Sequence, residues 1–239
     1  MVSDDPTRTV IERSLAALLL LLALPLIGLT ALASFACYRA WPFFVQDRVG
    51  RDGTTFRFLK VRSLPPETDR YADKYSIGVS RIPALMLAVR RLHLDELPQL
   101  AHVVSGHMAF VGPRPEMPNL HALLQPTFAA QRTSVLPGLT GLWQISPHNR
   151  LLIGERTEYD RLYVGHRTLA LDAWILYRTA LKMTLGHVTH LHDVPTEVVR
   201  RVPDSAPQLV RVESAPIRTV NPEALLVGAN GAMGGIRLD

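Results

Sequence analysis

The feature that most constrains how this chain can fold is an uncharged apolar run near its N-terminus. Residues 15–36 include no charged side chain, and ten of these 22 residues are leucine. A leucine near the centre of a bilayer contributes roughly −0.5 kcal/mol to insertion, so the run favours lipid over water by several kcal/mol. The chain must therefore bury this run in a membrane or lose it by cleavage.

Three arrangements of the apolar run are open. A cleaved signal peptide would explain the basic flank and the small residues Ala31-Leu32-Ala33. A single spanning helix of this length would reach about 33 Å, which is enough to cross the hydrocarbon core. The third arrangement is a re-entrant hairpin, because Pro25 lies near the middle and would remove a hydrogen bond and bend the helix.

The charges on both sides of the run favour the re-entrant hairpin. Arg8 and Arg13 precede it, and the segment that follows is more basic, with Arg39, Arg48, Arg51, Arg57, Lys60 and Arg62. The positive-inside rule places both flanks on the cytoplasmic side, and only a hairpin that enters and leaves the same leaflet satisfies both. We therefore expect a cytosolic segment at 1–14 and a re-entrant membrane anchor at 15–38.

Composition limits the partners of the remaining chain. With 239 residues, 47% of them hydrophobic, one sizeable core is expected, and the net charge of +5 indicates an anionic partner such as phosphates, nucleotides or acidic lipids. Aromatic residues are only 7%, and no basic run is interleaved with them, which argues against nucleic acid. A single cysteine, Cys37, excludes an internal disulfide and fits a domain that faces the cytosol.

A β-hairpin is predicted directly after the anchor. Two alternating segments, 43–49 and 54–62, flank a Gly-Arg-Asp-Gly turn at 50–53. In the second segment Lys60 and Arg62 point to the same face, since side chains alternate along a strand. These two cations fit either an anion site or an edge strand that uses lysine to resist aggregation.

The adjacent acids Asp95 and Glu96 are the candidate chemical centre. Apolar residues recur at helical spacing after them, so Asp95 is predicted to cap a helix at its positive end, with Pro98 in the first turn and Gly106 as the stop. One interpretation makes Asp95 only a cap and Glu96 a solvated acid. The other makes Asp95 a carboxylate nucleophile beside a metal ion and phosphate-binding arginines.

The rest of the chain is predicted to be mainly helical. A loop at 135–144, rich in glycine and proline, is suited to close backbone approach by a ligand. From residue 194 onward the composition shifts to proline, glycine and alanine without aromatics, so 194–239 is predicted to be a mostly disordered tail. Helices are predicted at 84–91, at 118–133 with an interruption at Pro126, at 155–164 and at 169–185.

Five motifs occur in an order that is typical of one family. They are QDRVGRDGTTFRFLKVRS at 46–63, AVRRLHLDELPQL at 88–100, GHMAFVGPRPE at 106–116, VLPGLTGLWQI at 135–145 and YDRLYV at 159–164. With the proline-containing apolar segment before them, they make residues 8–190 resemble the bacterial sugar transferases, the polyprenyl-phosphate phosphoglycosyltransferases of the small monotopic class. Any one of these motifs alone would be weak evidence.

The resemblance implies a two-step transfer of a phosphosugar. A nucleotide-diphosphate sugar, usually a UDP-sugar, binds with Mg²⁺, and Asp95 attacks its β-phosphate and expels the nucleoside monophosphate. The phosphosugar on Asp95 then passes to a polyprenyl phosphate, usually undecaprenyl phosphate. Asp95 is then both nucleophile and metal contact, and Glu96 is its partner as a metal ligand or base.

The resemblance also assigns roles to the basic residues. Lys60, Arg90 and Arg114 look like the phosphate binders, and Arg62 and Asp160 look like secondary residues of the substrate site. This chain departs from the usual family pattern at His107, where an acid is common, and at Ala109, where serine is common. These departures leave the donor specificity open.

We therefore expect an α+β fold, mostly helical, in which a short hairpin packs with helices and a catalytic domain spans 39–193. The expected location is the cytoplasmic face of a bacterial inner membrane, where membrane lipids are partners and the reaction would initiate exopolysaccharide, capsule or O-antigen synthesis. Homo-oligomerisation is left open. Two alternatives remain: an inactive membrane scaffold of a glycan assembly complex, and a Mg²⁺-dependent nucleotide-sugar hydrolase.

Overall fold

The structure, a computed structural model, describes residues 6–68, 82–149 and 151–199. These residues belong to one compact unit, Met1–Asp204, whose fold is α+β and mostly helical, as expected. The helices within these ranges are α1 (Pro6–Tyr38), α2 (Ala84–Arg91), α3 (Leu100–Val104), α4 (Pro118–His121), α5 (Pro126–Thr133), α6 (Leu142–Ile145), α7 (Glu158–His166) and α8 (Leu169–Leu185). The strands are β1 (Phe43–Val49), β2 (Thr55–Val61), β3 (Ala109–Val111) and β4 (Gly138–Thr140).

Helix α1 contains the whole apolar run. It is helical from Pro6 to Tyr38, so helical structure starts before the predicted anchor at 15–38 and continues through Pro25, where a break was expected. Its stretch Thr9–Tyr38 is long and apolar enough to cross a membrane, and most of its leucines are exposed. The helix therefore fits membrane association, while its re-entrant path stays a prediction.

Both ends of α1 contact the folded domain. Near the N-terminal end, Glu12 Oε1 accepts a hydrogen bond from the backbone N–H of Phe110 at 2.6 Å. Near the C-terminal end, Ser34 Oγ donates to the carbonyl of Arg62 at 2.7 Å. No residue from 17 to 26 is buried. The centre of the helix, which includes Pro25, is thus the part that the protein leaves exposed.

The predicted β-hairpin is confirmed. Strands β1 and β2 pair antiparallel, from Phe43 opposite Val61 to Val49 opposite Thr55. The turn between them holds Asp52 and Gly53 at φ of 54° and 75°, a left-handed conformation that glycine tolerates and that aspartate adopts more readily than most residues. The hairpin places the last residues of β2 against the Leu94–Gln99 segment.

A second sheet of two short parallel strands was not predicted. The Gly138 N–H donates to the Pro113 carbonyl, and the Gly112 N–H donates to the Thr140 carbonyl, each at 2.9 Å. A Cβ atom at Gly138 would overlap the backbone of Gly112. The glycines of the 135–144 loop were expected to admit a ligand, but here they allow two backbone segments to approach each other.

The main hydrophobic core lies under α5, α7 and α8. Helices α2 and α8 have the predicted bounds, and the predicted interruption before Pro126 separates α4 from α5. Val194, Val198 and Val199 pack against this core, so the chain remains folded past the predicted tail boundary at 194. The rest of the predicted tail, from residue 200, lies outside the described residues. The buried core members are Val111, Phe128, Leu142, Trp143, Ile145, Ile153, Tyr159, Tyr163, Leu171 and Ile175.

Candidate active site

The acidic pair lies in a tight helical turn between α2 and α3. Leu94–Gln99 forms a 3₁₀ helix, and the residue before it, His93, has φ of 55°, which ends α2 and redirects the chain. Asp95 is therefore in the first turn and not at the predicted N-cap position. Its side chain is buried and is directed to another segment, so the interpretation of Asp95 as only a helix cap is wrong.

The contact that holds Asp95 comes from Ser63, which sequence reasoning missed. Ser63 Oγ donates to Asp95 Oδ2 at 2.8 Å, and Arg90 Nη1 donates to Ser63 Oγ at 3.1 Å. Arg90, a predicted phosphate binder, is thus connected to the pair through this hydroxyl. The only available signal was position, since Ser63 follows the basic end of β2 in the motif that ends Lys60-Val61-Arg62-Ser63.

Lys60 and Glu96 form an ion pair beside Asp95. Lys60 Nζ lies 2.5 Å from Glu96 Oε1. Burial raises the pKa of Glu96, but the charges of Lys60 and Arg114 outweigh it and bring that pKa to about 2. Burial lowers the pKa of Lys60, while Glu96 and Asp95 favour its charged form. Glu96 is therefore ionised at neutral pH, and Lys60 lies within the field of both carboxylates.

Arg114 supplies a further cation on a rigid turn. It lies between Pro113 and Pro115, and its charge lowers the pKa values of both Glu96 and Lys60, so it lies close to the ion pair. Its guanidinium makes no hydrogen bond or ion pair with another residue that the structure describes. This cation is therefore available to an anionic ligand.

Two predicted site residues lie outside this cluster. Arg62 Nε donates to the carbonyl of Trp41 at 2.8 Å, at the end of the hairpin. Asp160 is buried, and its Oδ2 lies 3.1 Å from Arg132 Nε. The structure therefore brings together Asp95 and Glu96 with Lys60, Arg90 and Arg114, whereas Asp160 is bound to Arg132.

The acidic pair leaves oxygens that suit a hard cation. Asp95 Oδ1 and Glu96 Oε2 accept no hydrogen bond from any residue in the described ranges. Mg²⁺ is usually held by one or two carboxylates together with substrate phosphates, and it keeps several waters. In those ranges no three His, Cys, Asp or Glu side chains form a metal site by themselves. The two carboxylates thus fit a metal ion that is also bound by a substrate phosphate.

Comparison with known proteins shows which proteins this chain is similar to. The chain is 32% identical over 153 residues to the exopolysaccharide production protein ExoY of Sinorhizobium fredii, a match that covers 57% of this chain and 67% of the relative. It is 35% identical over 179 residues to an undecaprenyl-phosphate glucose phosphotransferase of Komagataeibacter xylinus, covering 69% of this chain and 33% of that protein.

A third relative is similar over more of this chain. It is the UDP-N-acetylgalactosamine-undecaprenyl-phosphate N-acetylgalactosaminephosphotransferase of Aeromonas hydrophila, 28% identical over 201 residues, which is 76% of this chain and 45% of that protein. The match thus spans less than half the length of this relative and of the Komagataeibacter protein. Residues 4–186 match the family model described as bacterial sugar transferase, and the chain belongs to that family.

Proposed function

We propose that this protein transfers a phosphosugar from a nucleotide-diphosphate sugar, in particular a UDP-sugar, to a polyprenyl phosphate in the membrane. The product, a sugar on a lipid diphosphate, would begin the synthesis of an exopolysaccharide, a capsule or an O-antigen. The names of the two phosphotransferase relatives both include undecaprenyl phosphate, and this supports the acceptor class.

One observation carries the proposal: beside three cations lies a buried carboxylate, one oxygen of which is held while the other accepts no hydrogen bond from the described residues. Ser63 holds Asp95 Oδ2, while Lys60 and Arg114 surround the neighbouring Glu96 and Arg90 binds Ser63. Phosphoryl transfer depends mainly on positioning and charge neutralisation, which this arrangement supplies.

The reaction would proceed in two displacements at one phosphorus atom. Asp95 Oδ1 forms a bond to the β-phosphorus while the bond from that phosphorus to the bridging oxygen breaks, and the electron pair leaves with the nucleoside monophosphate. An oxygen of the polyprenyl phosphate then attacks the same phosphorus and displaces the Asp95 carboxylate. Neither step requires a proton, since every attacking and leaving oxygen is anionic.

Mg²⁺ is part of the proposal. Asp95 and Glu96 would hold the ion together with the diphosphate of the donor, and the ion would supply charge neutralisation on the phosphate oxygens. The protein's own residues orient the donor: Arg114 offers a guanidinium fork to phosphate oxygens, and Lys60 balances the Glu96 charge.

The lipid acceptor explains the position of the domain on a membrane, and we propose that α1 enters and leaves the cytoplasmic leaflet. Ala16 belongs to a buried cluster that includes Phe58, and Ser34 donates a hydrogen bond to the carbonyl of Arg62. Both ends of the apolar run are thus held by the same domain, and the bend that we propose lies in the exposed stretch between them, near Pro25.

Turnover of a panel of UDP-sugars separates this function from its alternatives. The full chain in detergent, with Mg²⁺ and undecaprenyl phosphate, should release UMP and form a lipid-linked product in equal amounts with at least one donor. A nucleotide-sugar hydrolase would release UMP without needing the lipid, and a scaffold would release none. The matched control is Asp95→Asn, which should abolish UMP release.

A further inference from the structure

We infer that Arg48 and Arg132 are positioning residues that clamp the loop of Arg114 by donating hydrogen bonds to two consecutive carbonyl groups. The Arg114 loop is defined here as residues 112–116. The inference rests on the proposed role of Arg114 as a phosphate binder, and it adds two residues for which the motifs suggested no role.

Arg132 holds the loop from the helical side. Its Nη2 donates to the carbonyl of Arg114 at 2.6 Å, and its Nε donates to Asp160 Oδ2 at 3.1 Å. Both side chains are 3% exposed. Because the guanidinium is a rigid planar group, the carboxylate bound at Nε fixes the direction of the N–H groups on Nη2. This gives Asp160, predicted as a substrate residue, an indirect role through Arg132.

Arg48 holds the loop from the hairpin side. Its Nη1 donates to the carbonyl of Pro115 at 3.1 Å, and its Nη2 donates to Gln46 Oε1 at 2.7 Å. The guanidinium also lies over the ring of Phe58, 5.4 Å from the centroid. Burial and the nearby charge of Arg114 lower the pKa of Arg48 to about 10, so it remains charged at neutral pH.

The next carbonyl of the loop is held as well. The N–H of Val49 donates to the carbonyl of Glu116 at 2.8 Å. Three consecutive carbonyls, those of Arg114, Pro115 and Glu116, therefore accept hydrogen bonds from outside the loop. Since Pro113 and Pro115 have no N–H, the loop has few donors of its own with which to fix its conformation. Its geometry depends on donors from β1 and α5, together with the Gly138 N–H of β4, which donates to the Pro113 carbonyl.

The clamp has a direct consequence for the proposed reaction. Arg132 and Arg48 bind the first two carbonyls that follow the Arg114 Cα atom, while its guanidinium is left without a protein partner in the described residues. The side chain is thus presented from a fixed base. A misplacement of about 1 Å in a positioning group can cost on the order of a hundredfold in rate.

A kinetic double-mutant cycle tests the clamp in the full-length protein. Arg132→Lys and Arg48→Lys keep the positive charge but lose the planar fork, and each should lower kcat/KM for the best UDP-sugar of the panel by about 10- to 100-fold. In an Arg114→Ala background, either substitution should change kcat/KM by less than about twofold. If either lysine substitution lowered kcat/KM by the same factor in the Arg114→Ala background as in the wild type, the inference would be overturned.

Amide hydrogen exchange gives a readout that does not depend on turnover. In either lysine variant, exchange should rise in the peptide 109–117 and stay unchanged in α8. The matched control is Arg161→Lys, because Arg161 lies over the Phe128 ring of α5 at 5.2 Å without touching the loop carbonyls. It should keep wild-type exchange and turnover within about twofold.

The two readouts separate the clamp from the proposed function. If Arg114→Ala leaves turnover intact, the proposed role of Arg114 fails, and the exchange of peptide 109–117 still decides whether Arg48 and Arg132 order the loop. Unchanged exchange in both lysine variants, with unfolding midpoints equal to that of the wild type, would overturn the clamp even if the protein is an active transferase.

Discussion

Ser63 Oγ donates a 2.8 Å hydrogen bond to Asp95 Oδ2 and thereby fixes one oxygen of the proposed nucleophile. Arg90 Nη1 donates a hydrogen bond to the Ser63 hydroxyl, and the backbone carbonyl of Ser63 accepts one from the hydroxyl of Tyr38 at 3.2 Å. Tyr38 is the last residue of α1. Ser63 therefore connects the apolar helix α1, a candidate phosphate-binding arginine and the acidic pair.

Ser63→Ala should lower kcat by about tenfold, because loss of a hydrogen bond of about 1.5 kcal/mol leaves Asp95 free to rotate away from the attacking geometry. The KM for the donor should stay nearly constant, since the cations remain. Steady-state kinetics measure both values. Ser134→Ala is the matched control, because Ser134 is exposed and its hydroxyl binds, within the described part of the chain, only the Gln131 carbonyl. A wild-type kcat in Ser63→Ala would exclude this role.

His102 predicts a pH dependence of stability. Its Nε2 accepts a hydrogen bond from the backbone N–H of Leu59, next to Lys60 in β2, so only the neutral ring fits. Burial, and then the nearby His107, lower the pKa of His102 below its ordinary value of 6.5. Its contribution is therefore fully present above pH 6.5, where the unfolded chain is also neutral, and is lost as pH falls through the lowered pKa of the folded state.

His102→Gln keeps an acceptor at the same place without a titrating group. Between pH 7.5 and 5, the unfolding midpoint of the wild type should fall more steeply than that of His102→Gln. Chemical unfolding in one detergent at several pH values measures the difference. If the unfolding midpoints of both proteins fell equally with pH, the native state would not favour the neutral form of His102.

Gly138→Ala should destabilise the fold by about 1–3 kcal/mol, because the new methyl group would overlap the backbone of Gly112 and separate β3 from β4. Gly165→Ala is the control in α7: nothing lies within 4 Å of its added Cβ, and alanine favours a helix by about 0.5–1 kcal/mol. Urea unfolding compares the two. If the two variants had equal free energies of unfolding, the close approach of Gly138 to Gly112 would be contradicted.

Local sequence patterns predicted the elements that depend on local interactions. The hairpin follows from alternation around an Asp-Gly turn, and α8 follows from helical spacing bounded by Gly186, whose φ is 73°. The parallel pair β3–β4 could not be predicted in the same way. Each strand has three residues, too few to show a period, and their pairing depends on the approach of two loops that are 29 residues apart, from Ala109 to Gly138.

The candidate site was predicted only in part, because local motifs show which residues are present but do not show long-range contacts between them. The cation positions Lys60 and Arg114 were visible in the motifs, and both lie beside Glu96. The partner of Asp95 was not visible, because a serine after a strand has many possible roles and its contact with residue 95 is long-range. The helix cap was predicted wrongly because the left-handed His93 that starts the 3₁₀ turn has no clear local signal.

The proposed path of α1 predicts a specific labelling pattern. Tags at the N-terminus and at residue 70 should both be protected from an impermeant reagent outside intact cells, because a re-entrant helix returns both flanks to the cytoplasm. Permeabilised cells are the control and should label both tags. Labelling of the N-terminal tag alone in intact cells would indicate a helix that spans the membrane.

The proposed covalent role of Asp95 is tested most directly by the mass of the intact protein after mixing with Mg²⁺ and the best UDP-sugar of the panel, without any lipid acceptor. We predict a gain equal to one sugar phosphate, matched by one equivalent of UMP, and no gain in Asp95→Asn. An unmodified wild-type protein, together with normal lipid-dependent turnover by Asp95→Asn, would contradict the account.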